Sequence, residues 1–231
     1  MELSKRLKFI ADKIDKCSCV ADIGTDHGYI PIYAVKNNLC KSAIATDINI
    51  EPVKKAKLNV KYEKLGDLVH VRHGAGLKPI VLGEAEVLII AGMGGNLMCD
   101  ILKADIEKVK KFNYIILQPA QNPEVLREYL YNNKYEIIEE DLCLDDGIIY
   151  ELLKVRYDEK SFNCDFDKIN YEISPYILKR KNPLMKDYLC EKIKKSEKIL
   201  SFINDESESA KLRKSELQNK IAQYKRFLEE F

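Results

Sequence analysis

The chain has 231 residues, of which 46% are hydrophobic and 32% charged, with no low-complexity tract. That length supports a core without disulfide or metal staples, and the composition excludes wholesale disorder and collagen-like or mucin-like chains. Thirty-eight Lys and Arg against 37 Asp and Glu give a net charge of +1, so no global field draws the chain to nucleic acid, although Lys179–Lys198 concentrates eight basic and only three acidic residues.

Leu3, Leu7, Ile10 and Ile14 step by four, three and four, which predicts an amphipathic helix over 3–14 with Lys5, Arg6, Lys8 and Lys13 on its polar face. Ser18–Ile23 reads as a buried strand running into Gly24-Thr25-Asp26-His27-Gly28, with a helix from Tyr29 to Asn38. The alternation repeats: strand 42–47, helix 49–65, strand 68–72 ending at His73-Gly74-Ala75-Gly76, strand 85–91 ending at Gly92-Met93-Gly94-Gly95, and helix 97–110. Strand 114–117 ends at Gln118-Pro119, helix 123–132 follows, and strands 135–144 and 148–156 flank Asp145-Asp146-Gly147, a strong hairpin signal. Strand–helix units at this spacing imply a mostly parallel sheet covered on both faces, here with seven strands and one antiparallel. Residues 158–176 read as polar and irregular. Beyond them Leu189, Ile193, Ser196, Leu200 and Ile203, then Leu217, Ile221, Tyr224, Leu228 and Phe231, follow a heptad rhythm around a polar turn at 204–209. The pattern predicts an antiparallel helical hairpin.

Seven cysteines, an odd number at irregular spacing without a CxxC pair, and three histidines give no structural zinc pattern. No apolar leader and no apolar run near 18 residues occur, so the expectation is a cytoplasmic protein with reduced thiols and no membrane association.

The chemistry concentrates at the strand ends. Asp22-Ile23-Gly24-Thr25-Asp26-His27-Gly28-Tyr29 is a glycine turn carrying two carboxylates, which oppose a pyrophosphate and favour a cation. It resembles the glycine loop of class I S-adenosylmethionine methyltransferases, with Asp26 at the middle glycine. Asp47, 25 residues after Asp22, ends the second strand where an acid accepts hydrogen bonds from ribose hydroxyls. Ala75 leaves adenine recognition at the third strand to backbone groups. Three glycines in Gly92–Gly95 leave room for a flat substrate, and the Gln118 carboxamide offers a base both a donor and an acceptor. The fourth strand lacks the N/D-P-P-Y motif of many amino-methylating enzymes, which favours a ring nitrogen as target.

Together DIGTDHGY, AGMGG and LQP, with the N-terminal SKRL helix and the C-terminal hairpin, resemble the bacterial tRNA (adenine-N1)-methyltransferase family called TrmK. The resemblance implies a Rossmann-like class I methyltransferase fold over 1–157, a seven-stranded mostly parallel sheet whose last hairpin is antiparallel. Residues 158–231 would form an α-helical coiled-coil domain for tRNA binding. It implies methyl transfer from S-adenosyl-L-methionine to N1 of adenine 22 in the tRNA D-loop, leaving S-adenosyl-L-homocysteine, with no metal, no obligatory protein partner and a monomer. Asp22, Gly24, Asp47, Ile48, Ala75, Gly76, Gly92 and Met93 would hold the cofactor. Asp26, His27, Tyr29, Gly94, Gly95 and Gln118 would surround the base, and Lys5, Arg6, Lys179, Arg180 and Lys181 would contact RNA. The residues by themselves leave open another methyl acceptor such as rRNA or a small molecule, a non-catalytic RNA-binding protein and, less favoured, an NAD-binding domain.

Overall fold

A computed structural model describes residues 2–161 and 166–231. The chain divides into two compact units, Met1–Asp165 and Phe166–Phe231.

The first unit opens with helix α1 (Lys5–Ala11), capped by Ser4, whose hydroxyl accepts from the Leu7 amide. Strand β1 (Cys17–Ile23), α2 (Tyr29–Lys36), β2 (Cys40–Asp47), α3 (Ile50–Tyr62), β3 (Val69–His73) and β4 (Val87–Gly94) follow. Next come α4 (Gly95–Ala104), α5 (Ile106–Val109), β5 (Tyr114–Gln121), α6 (Pro123–Asn132), β6 (Tyr135–Asp145) and β7 (Ile148–Tyr157). The sheet order is β3-β2-β1-β4-β5-β7-β6. Neighbours are parallel as far as β5, and β7 runs antiparallel to both β5 and β6. Ile10, Ala11 and Ile14 of the N-terminal segment join Val20, Ile30, Ile32, Val87, Ile89 and Ile116 in the core.

The chain crosses from the β1–β3 side to the β4–β5 side next to β1. Such a switch point opens a crevice beyond the carboxyl ends of the strands. The register brings those ends together: Ile23 lies opposite Thr46, Asp47 opposite His73, and Ala91 opposite Gln118.

Three expectations change. The single helix over 97–110 is two, because the chain leaves helical geometry at Asp105 (φ −131°), whose carbonyl accepts from Lys108 and Val109 to start α5. The fourth and fifth strands run on through Gly94 and Gln121, with register irregularities at Met93. The stretch 158–176, read as irregular, carries helix α7 (Lys168–Glu172); its residues 162–165, with Cys164, lie outside the described residues.

The second unit holds α7, α8 (Pro175–Arg180), α9 (Met185–Ser201) and α10 (Glu208–Leu228). Ser174 caps α8 by accepting from Tyr176 N, with Pro175 at the first helical position, where its missing N–H costs nothing. Helices α9 and α10 pack on each other, burying Leu189, Ile193, Ser196, Leu217, Ile221 and Tyr224 from the heptad positions. Glu172 joins them, pairing with Lys192 and Lys220 and accepting from the Tyr224 hydroxyl.

Among the described residues no group of three or more His, Cys, Asp or Glu is placed to hold a metal, and no helix is long and apolar enough to cross a membrane. Burial pushes the Cys17 and Cys99 thiols up to about 11 and Cys40 to about 12, so all three stay protonated at neutral pH.

Candidate active site at the carboxyl edge of the sheet

The turn after β1 is built by three left-handed residues, Gly24 (φ +71°), Asp26 (φ +52°) and Gly28 (φ +72°). Glycine takes this conformation freely and Asp is among the few side chains that tolerate it. The amides of Gly24 and Thr25 both donate to the Thr46 carbonyl, at 2.8 and 2.9 Å, which ties the turn to the end of β2. Gly28 then opens α2, with the Cβ of Ala56 only 3.3 Å from where its own would lie.

Two carboxylates are buried here. Asp22 is 4% exposed and accepts from the Thr25 hydroxyl at 2.6 Å. Asp47 is 7% exposed and is oriented by the amides of Asn49, at 2.8 Å, and Asp26, at 3.4 Å. Among the described residues neither has a Lys or Arg partner. Burial drives the Asp22 carboxyl up to about 6; the Thr25 hydroxyl opposes the rise and the charge of Asp47 adds to it. Buried anions without a counter-charge are costly, and a cationic ligand with hydroxyl groups would supply what they lack.

Around them stand the other predicted cofactor residues. Ile48 is 61% exposed at the end of β2, and its carbonyl meets His73 Nε2 at 2.8 Å. Gly74 donates to the Asp47 carbonyl at 2.9 Å, Ala75 is half-buried, and Gly76 (φ +52°) lies against Ile101. An added Cβ at Gly24 would sit 2.1 Å from Met93 Cε, so the Met93 side chain rests on the glycine turn.

The residues expected around a base come from the turn after β1 and from the ends of β4 and β5. Asp26 has a largely exposed side chain, 3.5 Å from His27 Nε2. The His27 ring stacks on Tyr29 with centroids 5.1 Å apart and planes 11° from parallel, and the His27 carbonyl accepts from Asn59 Nδ2. Open space surrounds the position of a Cβ on Gly94, whereas one on Gly95 would meet the Asn122 carbonyl oxygen at 2.2 Å.

Gln118 is fully buried, and its amide is engaged at both ends: Arg6 Nη1 donates to Oε1 at 2.6 Å, and Nε2 donates to the Pro119 carbonyl at 2.8 Å. Arg6 thus reaches inward, beside Gly92 (φ +75°) and over the Tyr150 ring, with its own amide fixed on Asp145 Oδ2 at 2.9 Å. That bond holds the Asp145 carboxyl below the usual range. Thr25 stood inside the quoted glycine turn without a role of its own, and sequence reasoning missed Asn122, Asp145 and Tyr150. Asp145 was visible only as part of a hairpin turn, and no local pattern marked the others. Lys5 stays exposed on α1, and Lys179, Arg180 and Lys181 are exposed on and just after α8 in the second unit.

The sequence profile of a family described as tRNA (adenine(22)-N(1))-methyltransferase matches residues 20–226. The chain is 34% identical over 213 residues to the tRNA (adenine(22)-N(1))-methyltransferase of Bacillus subtilis, covering 90% of this chain and 89% of that one. The crystal structure of the B. subtilis m1A22 tRNA methyltransferase TrmK superposes with a TM-score of 0.88 at 33% identity, over 98% of this chain and 99% of that one. The M. capricolum TrmK in complex with S-adenosyl-homocysteine, described as its natural cofactor product, gives a TM-score of 0.83 at 29% identity over 99% of both chains.

Proposed function

The chain belongs to the TrmK family of tRNA (adenine(22)-N(1))-methyltransferases, and from that membership we propose how its own residues perform the reaction. The enzyme methylates N1 of adenine 22 in the D-loop of tRNA, with S-adenosyl-L-methionine as donor and S-adenosyl-L-homocysteine as product. The observation that carries the residue assignment is the pair of buried, cation-free carboxylates Asp22 and Asp47 at the switch point. They fit a ligand that carries an ammonium and a sulfonium charge, with a ribose joined to the sulfur.

When bound there, S-adenosylmethionine supplies an electrophilic methyl group. Asp22 faces the positive charge, Asp47 accepts from the ribose hydroxyls, and Ile48, Ala75, Gly76, Gly92 and Met93 form the walls. Adenine N1 presents a free lone pair at neutral pH, so the protein needs no strong base and works by positioning. The Asp26 carboxylate, standing at the rim, offsets the positive charge that develops on the base. Tyr29, stacked on His27, would extend that stack onto an unstacked adenine. The assay is methyl transfer to unmodified bulk tRNA followed by nucleoside mass spectrometry. We expect 1-methyladenosine; the N6 isomer, or no product, would refute the assignment.

Asp22 makes cofactor binding pH-dependent. Its carboxyl in the free protein lies near 6, above an ordinary aspartate, so its ionisation between about pH 4 and 6 costs the ligand-free fold stability. A cation restores that loss and therefore binds the ionised form. About a tenth of the carboxyl is ionised at pH 5 and nearly all at pH 7, so affinity for S-adenosylmethionine should be about tenfold tighter at pH 7. Calorimetry at the two pH values with wild type and Asp22→Asn tests this: an equally steep wild-type and variant dependence would count against Asp22.

In this reading the exposed face of α1 contacts RNA and the second unit supplies RNA contacts of its own, in a monomeric cytoplasmic enzyme. Reversing Lys179 and Lys181 to Glu should weaken tRNA binding and flatten its log–log salt dependence by about one to two. An unaltered slope would remove these lysines from the interface.

A further inference from the structure

Gln118 lies within β5 opposite Ala91, where a carboxamide would be expected to read a base, yet it is fully buried and both ends of its amide are occupied. Arginine only donates and a proline carbonyl only accepts, so the two partners fix the amide in one orientation, oxygen toward Arg6 and nitrogen toward Pro119. Arg6, a half-buried residue, is the donor to its oxygen. Of its five N–H donors only the one on Gln118 is used among the described residues, while the Tyr150 ring lies 5.5 Å from its central carbon. Its backbone is pinned by Asp145 from the hairpin. A planar donor with spare N–H groups, held from three directions beside Gly92, suits the two oxygens of a phosphodiester.

We infer that Gln118 is a positioning residue rather than a base reader: it aims Arg6, and Arg6 grips the phosphodiester of the nucleotide that enters the site. Asp145 and Tyr150 complete the mount. The inference rests on the tRNA-methyltransferase reading for its substrate, but its first readout is binding and does not require turnover.

The test compares wild type with Gln118→Leu, Gln118→Glu and Arg6→Met. Each is measured for tRNA binding across 50–200 mM salt and for kcat/KM on transcripts carrying adenosine or purine riboside at the target position. Purine riboside keeps the N1 lone pair and lacks the 6-amino group. Gln118→Leu is expected to weaken tRNA binding roughly five- to tenfold and to flatten the salt slope by about one. The adenosine-to-purine ratio should stay within about twofold of wild type. Gln118→Glu, which still accepts from Arg6, should recover most of the binding. In the Arg6→Met background Gln118→Leu should add nothing. A Gln118→Leu enzyme that loses the adenosine preference at an unchanged salt slope would overturn the inference in favour of base reading. So would a Gln118→Glu enzyme as impaired in binding as Gln118→Leu. If the variants change tRNA binding as expected but wild type leaves adenosine unmethylated, the functional reading fails and the Arg6–Gln118 coupling stands.

Discussion

Replacing Arg127 by methionine is expected to lower the stability of the first unit by about 3–5 kcal/mol, enough to drop its melting temperature by roughly 10 °C. Arg127 lies on α6 and is fully buried. Its Nε and Nη2 donate to Glu140 Oε2 at 3.0 and 2.9 Å, and Nη2 also donates to Glu151 Oε2 at 2.6 Å. Glu140, itself fully buried on β6, accepts from the Tyr131 hydroxyl at 2.7 Å. Methionine fills the volume and removes the cation, leaving two carboxylates in the interior without it. The same argument predicts partial recovery when Glu140→Leu, Glu151→Leu and Tyr131→Phe are added, because an apolar cluster carries no desolvation penalty. Urea titration reads both effects, and a single variant within 1 kcal/mol of wild type would show that water or local opening solvates these charges. The network also bears on function. It anchors α6 to the hairpin that presents Asp145 and Tyr150 to Arg6.

Gly95→Ala should reduce methyl transfer by about a hundredfold or more, whereas Gly94→Ala should leave the stability of the fold unchanged. At Gly95 the new methyl group would collide with the backbone carbonyl of Asn122, at 2.2 Å, and press on Leu126 Cβ at 3.3 Å. Backbone does not yield as a flexible side chain would, so either α4 or the start of α6 must shift. Those two helices begin just after β4 and β5, the strands proposed to flank the base, and a displacement of about 1 Å there would misplace the acceptor. Overpacking of this kind also costs about 1–3 kcal/mol. At Gly94 the backbone is ordinary (φ −70°) and nothing lies within 4 Å of the added carbon. Loss of turnover at Gly94 with an unchanged melting curve would show that this open space is where the base sits. Turnover near the wild-type level for Gly95→Ala would show that the two loops are not coupled to the chemistry.

The periodicity of the chain by itself determined the alternating strands and helices, the terminal hairpin and the pair of C-terminal helices, because buried faces repeat with the period of the element that carries them. Its glycines marked the turn after β1 and the irregular end of β4, since a left-handed backbone at Gly24, Gly28 and Gly92 is a local demand that a local residue type meets. The carboxylates Asp22 and Asp47 were legible for a similar reason: their spacing follows from one strand–helix–strand unit. Other features were decided only by the assembled tertiary structure. The break at Asp105 arises from backbone hydrogen bonding that the apolar pattern around it does not register. Arg6 and Gln118 are separated by 112 residues and Arg6 and Asp145 by 139, so their contacts exist only once α1, β5 and the hairpin are placed side by side. The unusual ionisation of Asp22 and the shelter of Arg127 come from burial. Burial is a property of everything packed around a side chain, not of the residues beside it in the chain.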